Sequence, residues 1–449
     1  MKNLILLAAL SALPPRPAAA FCGFFVAKAD AQLFNKASQV VLVRDGDRTA
    51  ITMGNDYRGE PKEFAIVVPV PVVLKREQIN VGDQALVARL DAFTSPRLVE
   101  YHDEDPCSVQ KLSLMAARGM AQSAARGEGG GRARAKALGV TIEASYTVGE
   151  YDILILGAKD SMGLETWLRE QGYKLPRGAS AALGPYLKQK LKFFVAKVNL
   201  AEHAKTGSST LRPIQFAYED PRFMLPIRLG MLNADGPQDL MVYALTKNGR
   251  VETVNYRTVK MPTGTDIPLH VRDQFGDFYR ATFARLWEKE GRKAVVTEHF
   301  WDMGWCDPCA ADPLSAEELR KLGVWWLADD QGGGRPARGR RFMVGGAVPV
   351  KVTRLHVRYD AEHFPEDLVF QETADTQNYQ GRFVMHTPWT GAASCDAAKA
   401  YPKARREREE LWAKNLAELT GWELAGIRSK MSLDGPLPTA PQWYEKIFR

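Results

Sequence analysis

Apolar, β-branched runs joined by glycine-containing turns, with helical stretches set among them and not alternating with single strands, predict an α+β fold. Its sheets should be mainly antiparallel, with inserted helices and a helical carboxyl-terminal tail. Two turns carry much of this expectation. Asp45-Gly46 and Asn248-Gly249 each lie between strand-like runs and offer residue types that accept the positive φ of a hairpin turn. The third observation is the charged run from Ala397 to Leu419, which has the composition of a long helix.

Taken in order, Val40 to Val43 and Thr49 to Met53 flank the first turn as a hairpin. Phe64 to Leu74 is a continuous apolar strand, but Pro69 and Pro71 donate no backbone hydrogen bond and should place its end at a sheet edge. Asp83 to Phe93 reads as a helix. Arg118 to Gly139, rich in Ala, Gly and Arg, reads as a surface loop. Tyr146 to Leu156 returns to strand. A helix from Ser161 to Gly172, capped by the serine, and a second from Leu183 to Leu191 precede a strand at Phe193 to Val198. Ile214 to Tyr218 alternates at period two, and Met224 to Met231 and Leu240 to Leu245 are further strands. Lys247 to Arg250 then turns into Val251 to Tyr256 as a second hairpin. Asp273 to Glu290 is helical, Ala294 to Trp301 a strand, and a Ser315–Glu318 capping box starts a helix ending near Gly323. Asp329 to Arg341 is a loop with four arginines, solvated or able to hold an anionic partner. Val348 to Tyr359, Asp367 to Phe370 and Arg382 to His386 are strands, and Trp422 to Met431 is a short helix.

The amino terminus joins Lys2 to an apolar run, Leu4 to Leu13, and ends in Ala18-Ala19-Ala20. That order is expected of a secretory signal peptide cleaved after Ala20. An extracytoplasmic chain, periplasmic or secreted, would follow, with no transmembrane segment once the signal is removed. Residues 21–200 would form an amino-terminal α+β unit, 201–395 a second β-rich unit, and 396–449 a helical segment. The formal charge of +7 falls to +5 without Lys2 and Arg16 and is mixed with acid, so no nucleic acid partner is expected. An envelope or protein partner remains open. No cofactor is expected. There is no His-Glu-x-x-His pair and no Gly-x-Ser-x-Gly elbow to suggest a hydrolase.

Five cysteines, Cys22, Cys107, Cys306, Cys309 and Cys395, are disulfide candidates in an oxidising compartment. Cys306 and Cys309 are the local pair, and any two of the other three could form a long-range bridge. His102 to Cys107 crowds oxygen and nitrogen groups together, as a metal site or as a solvated acidic turn. Trp305-Cys306-Asp307-Pro308-Cys309 allows three chemistries. It could be a structural disulfide, a redox pair with Cys306 as nucleophile, or half of a metal site with His299. Asp307 places a negative charge between the two thiols and so disfavours a thiolate, and the helix that could lower a thiol pKa starts late.

The Trp-Cys-x-Pro-Cys stretch resembles the motif of thioredoxin-like oxidoreductases over five residues. A wider resemblance runs through Phe21-Cys22-Gly23, Phe25 to Asp30, Asn55-Asp56-Tyr57, Phe64 to Pro71, Trp167 to Pro176, the Trp305 stretch and Leu355 to Leu368. On these the chain resembles the bacterial secreted family catalogued as domain of unknown function 2330. That resemblance implies an extracytoplasmic location and a shared architecture, and it brings no catalytic residues with it.

Overall fold

The computed structural model describes residues 38–54, 64–108, 140–171, 175, 178–206, 211–233, 236–304, 313–327 and 348–433, with the backbone alone of 18–19, 24–27, 34–35, 57–58, 64–65 and 233. The α+β expectation holds. Most strand pairs are antiparallel, helices are inserted between strand runs, and the carboxyl-terminal helix Asp396–Thr420 closes the fold.

Two sheets lie face to face. The larger orders its strands Arg257–Lys260, Ala294–Asp302, Lys351–Tyr359, Gln238–Thr246, Ser38–Asp45, Arg48–Gly54, Ile214–Glu219 and Ile79–Val81. The smaller runs Val140–Val148, Tyr151–Ala158, Lys192–Val198, Phe64–Val70 and Phe24–Ala27. Alternation along each strand decides what meets between them. Val40, Leu42, Val242, Ala244, Leu355 and Val357 of the large sheet pack with Ile66, Val68, Ile153, Ile155 and Phe194 of the small one. The opposite residues of the small sheet, Val67, Phe193 and Val195, pack on the helices Ser161–Glu170 and Ala179–Lys188.

The other face of the large sheet carries two apolar clusters. One joins Val41, Val43 and Leu245 to the helix Gln84–Thr94 and to Leu314, Leu319 and Trp326. The other joins Val296 to Phe278, Phe283 and Trp287 of the helix Phe275–Lys289, to Leu416 of Asp396–Thr420, and to Ile427 of the last helix described, Leu424–Lys430. The layers therefore run helix, sheet, sheet, helix. Residues from both sides of position 200 build the large sheet, because Ser38–Asp45 pairs in parallel with Gln238–Thr246.

The Asp45-Gly46 hairpin forms between Ser38–Asp45 and Arg48–Gly54, with Gly46 at φ 56°. Pro69 pairs with Phe193 on one side, while the strand Phe24–Ala27 reaches only as far as Val67 on the other. Its missing N–H thus falls where the strand has become an edge. The Ser161 helix is capped by Asp160, whose carboxylate accepts the Gly163 N–H at 2.6 Å. Strand structure at Met224 is limited to Met224–Leu225. The second hairpin does not form. Both edges of Gln238–Thr246 are already taken by Lys351–Tyr359 and Ser38–Asp45, so Val251–Thr253 pairs instead with Leu368–Glu372. Gly249 is needed there for closeness: a Cβ would meet the Thr373 carbonyl oxygen at 1.9 Å.

Candidate functional site

The strand Lys351–Tyr359 places Arg354, His356 and Arg358 on one face at two-residue spacing. In an isolated strand that would be a solvent face. Here the helix Phe275–Lys289 covers it, and register supplies partners. Arg358 lies opposite Asp239, His356 opposite Met241, and Arg354 opposite Tyr243. On the other neighbour the pairing slips between Thr297 and His299, so one residue is extra. Glu298 and His299 thereby both serve the helix side of the sheet, Glu298 against the charges and His299 against Phe93 and Trp301.

At this place Glu298 at 0%, His299 at 1%, His356 at 3% and Arg354 at 4% exposure are almost wholly out of water. Such burial is tolerated only where the charges are paired and hydrogen-bonded. Arg354 Nε donates to Glu298 Oε2 at 2.7 Å, and its Nη1 donates to Asp91 Oδ1 at 2.6 Å. Tyr243 Oη also donates to Asp91, and Tyr279 Oη donates to Glu298 Oε1, both at 2.6 Å. His356 Nδ1 lies 3.0 Å from Glu298 Oε1, and its Nε2 lies 3.1 Å from Asp239 Oδ1. Phe283 stacks on the imidazole with ring centroids 3.5 Å apart.

The electrostatics follow from these contacts. Burial opposes ionisation of Glu298, but Arg354 and His356 outweigh it and hold the carboxyl at about 2. Burial likewise opposes a charged His356, yet Glu298 and Asp239 raise it above the ordinary imidazole value. For His299 burial is unopposed by any acid and, with Arg97 and Arg354 nearby, lowers it to about 3. Neither ring nitrogen of His299 has a hydrogen-bond partner among the described residues.

Beside this network a groove of about 600 Å³ opens at the surface. Asp277, Arg280, Ala281 and Ala284 line it from one stripe of the covering helix, and Gln274, Arg358, Trp422 and Lys430 complete it. Arg358 belongs to both places. Its Nε and Nη2 each donate to Asp239 at 2.8 Å, and its guanidinium lies 5.0 Å from the Phe283 ring centroid and 5.6 Å from that of Trp287.

Of the residues anticipated from sequence, Cys107 and Cys395 are bonded to each other across 288 positions. That leaves no thiol at His102 to Cys107 for a metal, and Asp103 there is taken by Arg408 and Tyr401 at 2.5 Å each. Cys22, Cys306 and Cys309 lie outside the described residues, as do the Arg118 to Gly139 and Asp329 to Arg341 loops. Among the described residues no three His, Cys, Asp or Glu side chains are grouped to hold a metal, and no helix is long and apolar enough to cross a membrane. Glu298, Arg354, His356, Asp239, Arg358 and Tyr279 were not anticipated. Their one sequence signal is the alternation of Arg354, His356 and Arg358 with Leu355, Val357 and Tyr359, which reads equally well as a wet face.

Fold and site together define an α+β protein built on two facing sheets, with a disulfide-tied helical end and an interior charge network. Residues 16–371 match the family described as an uncharacterized protein conserved in bacteria, domain of unknown function 2330, and with most of its length matched the chain belongs to that family. No curated protein and no solved structure matches it.

Proposed function

We propose that the protein acts outside the cytoplasm, in the periplasm or secreted, as a non-catalytic binding protein with structural cysteines. The observation that carries this reading is the Cys107–Cys395 bond. Long-range structural disulfides persist in oxidising compartments and are rare where thiols are kept reduced. The Lys2 to Ala20 pattern points the same way. A binding role is supported by the groove beside the network, whose walls combine charged, amide and aromatic side chains. The absence of catalysis is supported by the network itself, because Glu298, Arg354, His356 and Asp239 are spent on one another behind Phe283 and Tyr279.

Fractionation of cells under thiol-trapping conditions tests the reading. The expected result is protein outside the cytoplasm, beginning at Phe21, with Cys107 and Cys395 resistant to alkylation. A cytoplasmic protein with both thiols alkylated would overturn it. A thiol–disulfide exchange activity that Cys306→Ser abolishes would remove its non-catalytic part.

A further inference from the structure

We propose that the groove beside Arg358 is a binding site for a phosphate-bearing ligand, an inference that rests on the binding role above and assigns its ligand class. Arg358 is the fixed point of the groove. Two of its nitrogens are held by Asp239, and its guanidinium lies over the rings of Phe283 and Trp287, so the side chain is fixed before any ligand arrives. Asp239 is itself held by His356, which is anchored to Glu298. The Nη1 edge of Arg358 makes no hydrogen bond to a described residue, and Arg358 lines the groove.

Three further groups converge on the same space. Lys430 spends one hydrogen bond on Gln274 Oε1 at 3.3 Å and keeps its other donors. Gln274 lines the same space, and its buried amide nitrogen has no partner among the described residues, so a turn of the side chain would give that donor to a ligand at no cost in hydrogen bonds. Arg280 pairs with Asp277, but both side chains are 67% exposed, and such a pair exchanges readily for a better anion. The lining thus offers three cations and an amide donor against one carboxylate. Donors arriving from the sheet, the helix Phe275–Lys289 and the last helix suit a tetrahedral dianion better than a flat carboxylate. Ala281 and Ala284 leave room along the helix, and Trp422 provides an apolar wall for whatever the phosphate is attached to. The phosphate could belong to a soluble ester or to a lipid headgroup. Asp239 acts as a positioning residue, because it touches Arg358 and not the groove.

The test follows the Trp422 indole resonance in full-length mature protein labelled at tryptophan. It is titrated with inorganic phosphate, glycerol 3-phosphate, acetate, glycerol, and vesicles of phosphatidylglycerol or phosphatidylcholine. Phosphate and its ester should shift the resonance saturably. The exposed double variant Arg280→Gln/Lys430→Gln, which removes no buried contact, should raise the midpoint about tenfold. A response confined to phosphatidylglycerol vesicles would place the phosphate on a lipid. Equal binding of acetate or glycerol, or an unchanged midpoint in the double variant, would overturn the phosphate assignment while leaving a binding groove in place. No response to any probe overturns the phosphate site. The location and disulfide behind the wider reading are measured separately by thiol trapping.

Discussion

The buried charges are where single residues weigh most. Arg354 neutralises Glu298 and Asp91 at once, both within 2.7 Å. Arg354→Met fills similar volume but leaves the fully buried Glu298 carboxylate with only His356 to balance its charge, so it should cost about 4 kcal/mol in urea denaturation, the range expected for breaking a buried pair. The two buried histidines respond to pH in opposite directions. His356 is raised, so its contribution is complete below the ordinary value of about 6.5 and is lost as pH climbs through its folded pKa. His299 is lowered to about 3, so the folded protein favours its neutral form. That advantage is whole above about 6.5 and drains away as pH falls toward 3, because the unfolded chain takes up the proton first. His299→Phe keeps a ring against Phe93 and Trp301 and removes the titration. It should change stability little at pH 8 and raise it by about 3 kcal/mol at pH 4, relative to the parent. Denaturation midpoints falling in parallel for both proteins between pH 6 and 4 would show that His299 is not the acid-sensitive group.

At the scale of elements, the disulfide and one salt bridge tie the helix Asp396–Thr420 to the strand Arg97–His102. Cys395 is the residue before the helix, and Arg408 inside it holds Asp103, just past the strand. Closing so long a loop restricts the unfolded chain by up to about 5 kcal/mol in the entropy picture. Cys395→Ser should therefore free the last helices before the sheets open. Limited proteolysis should cut first between 388 and 395 in the variant and spare that stretch in the oxidised parent. Elements whose causes are local could be read in the sequence. The Ser315–Glu318 box does cap Ala316–Lys321, with each side chain bonded to the other's backbone. Asp45-Gly46 does turn a hairpin. Asn248-Gly249 has the same chemistry and fails as a hairpin, because pairing depends on which edges distant strands have already filled. The choice of Cys395 as the partner of Cys107, and not Cys22, has the same long-range origin. The network was illegible for a related reason: alternation reports two faces but not whether a helix from elsewhere will cover the polar one.

The whole molecule is organised by contacts between its ends and its middle. Ser38–Asp45 is flanked by Arg48–Gly54 and Gln238–Thr246, so the centre of the large sheet needs chain from both sides of residue 200. The inter-sheet core repeats the pattern, with Ile66, Ile153 and Phe194 packed among Val242, Val295 and Leu355. A fragment ending at residue 200 would keep the small sheet and lose the surface it packs on. It would also expose both sides of the Ser38–Asp45 hairpin, an edge prone to pairing with other chains. A fragment starting at 201 would keep the Gln238–Thr246, Lys351–Tyr359 and Ala294–Asp302 ladder, but it would lose Asp91 from the charge network, and one whole face of the ladder would be bare apolar surface. Neither fragment should give a cooperative unfolding transition or native near-ultraviolet circular dichroism alone, whereas the intact chain should unfold in one transition by both fluorescence and circular dichroism. Mixing the two fragments should restore part of the native signal, since the missing surfaces are complementary. A fragment that folds and unfolds cooperatively by itself would mean that the sheet is divisible at residue 200, and that the parallel pairing of Ser38–Asp45 with Gln238–Thr246 adds little to the stability of either side.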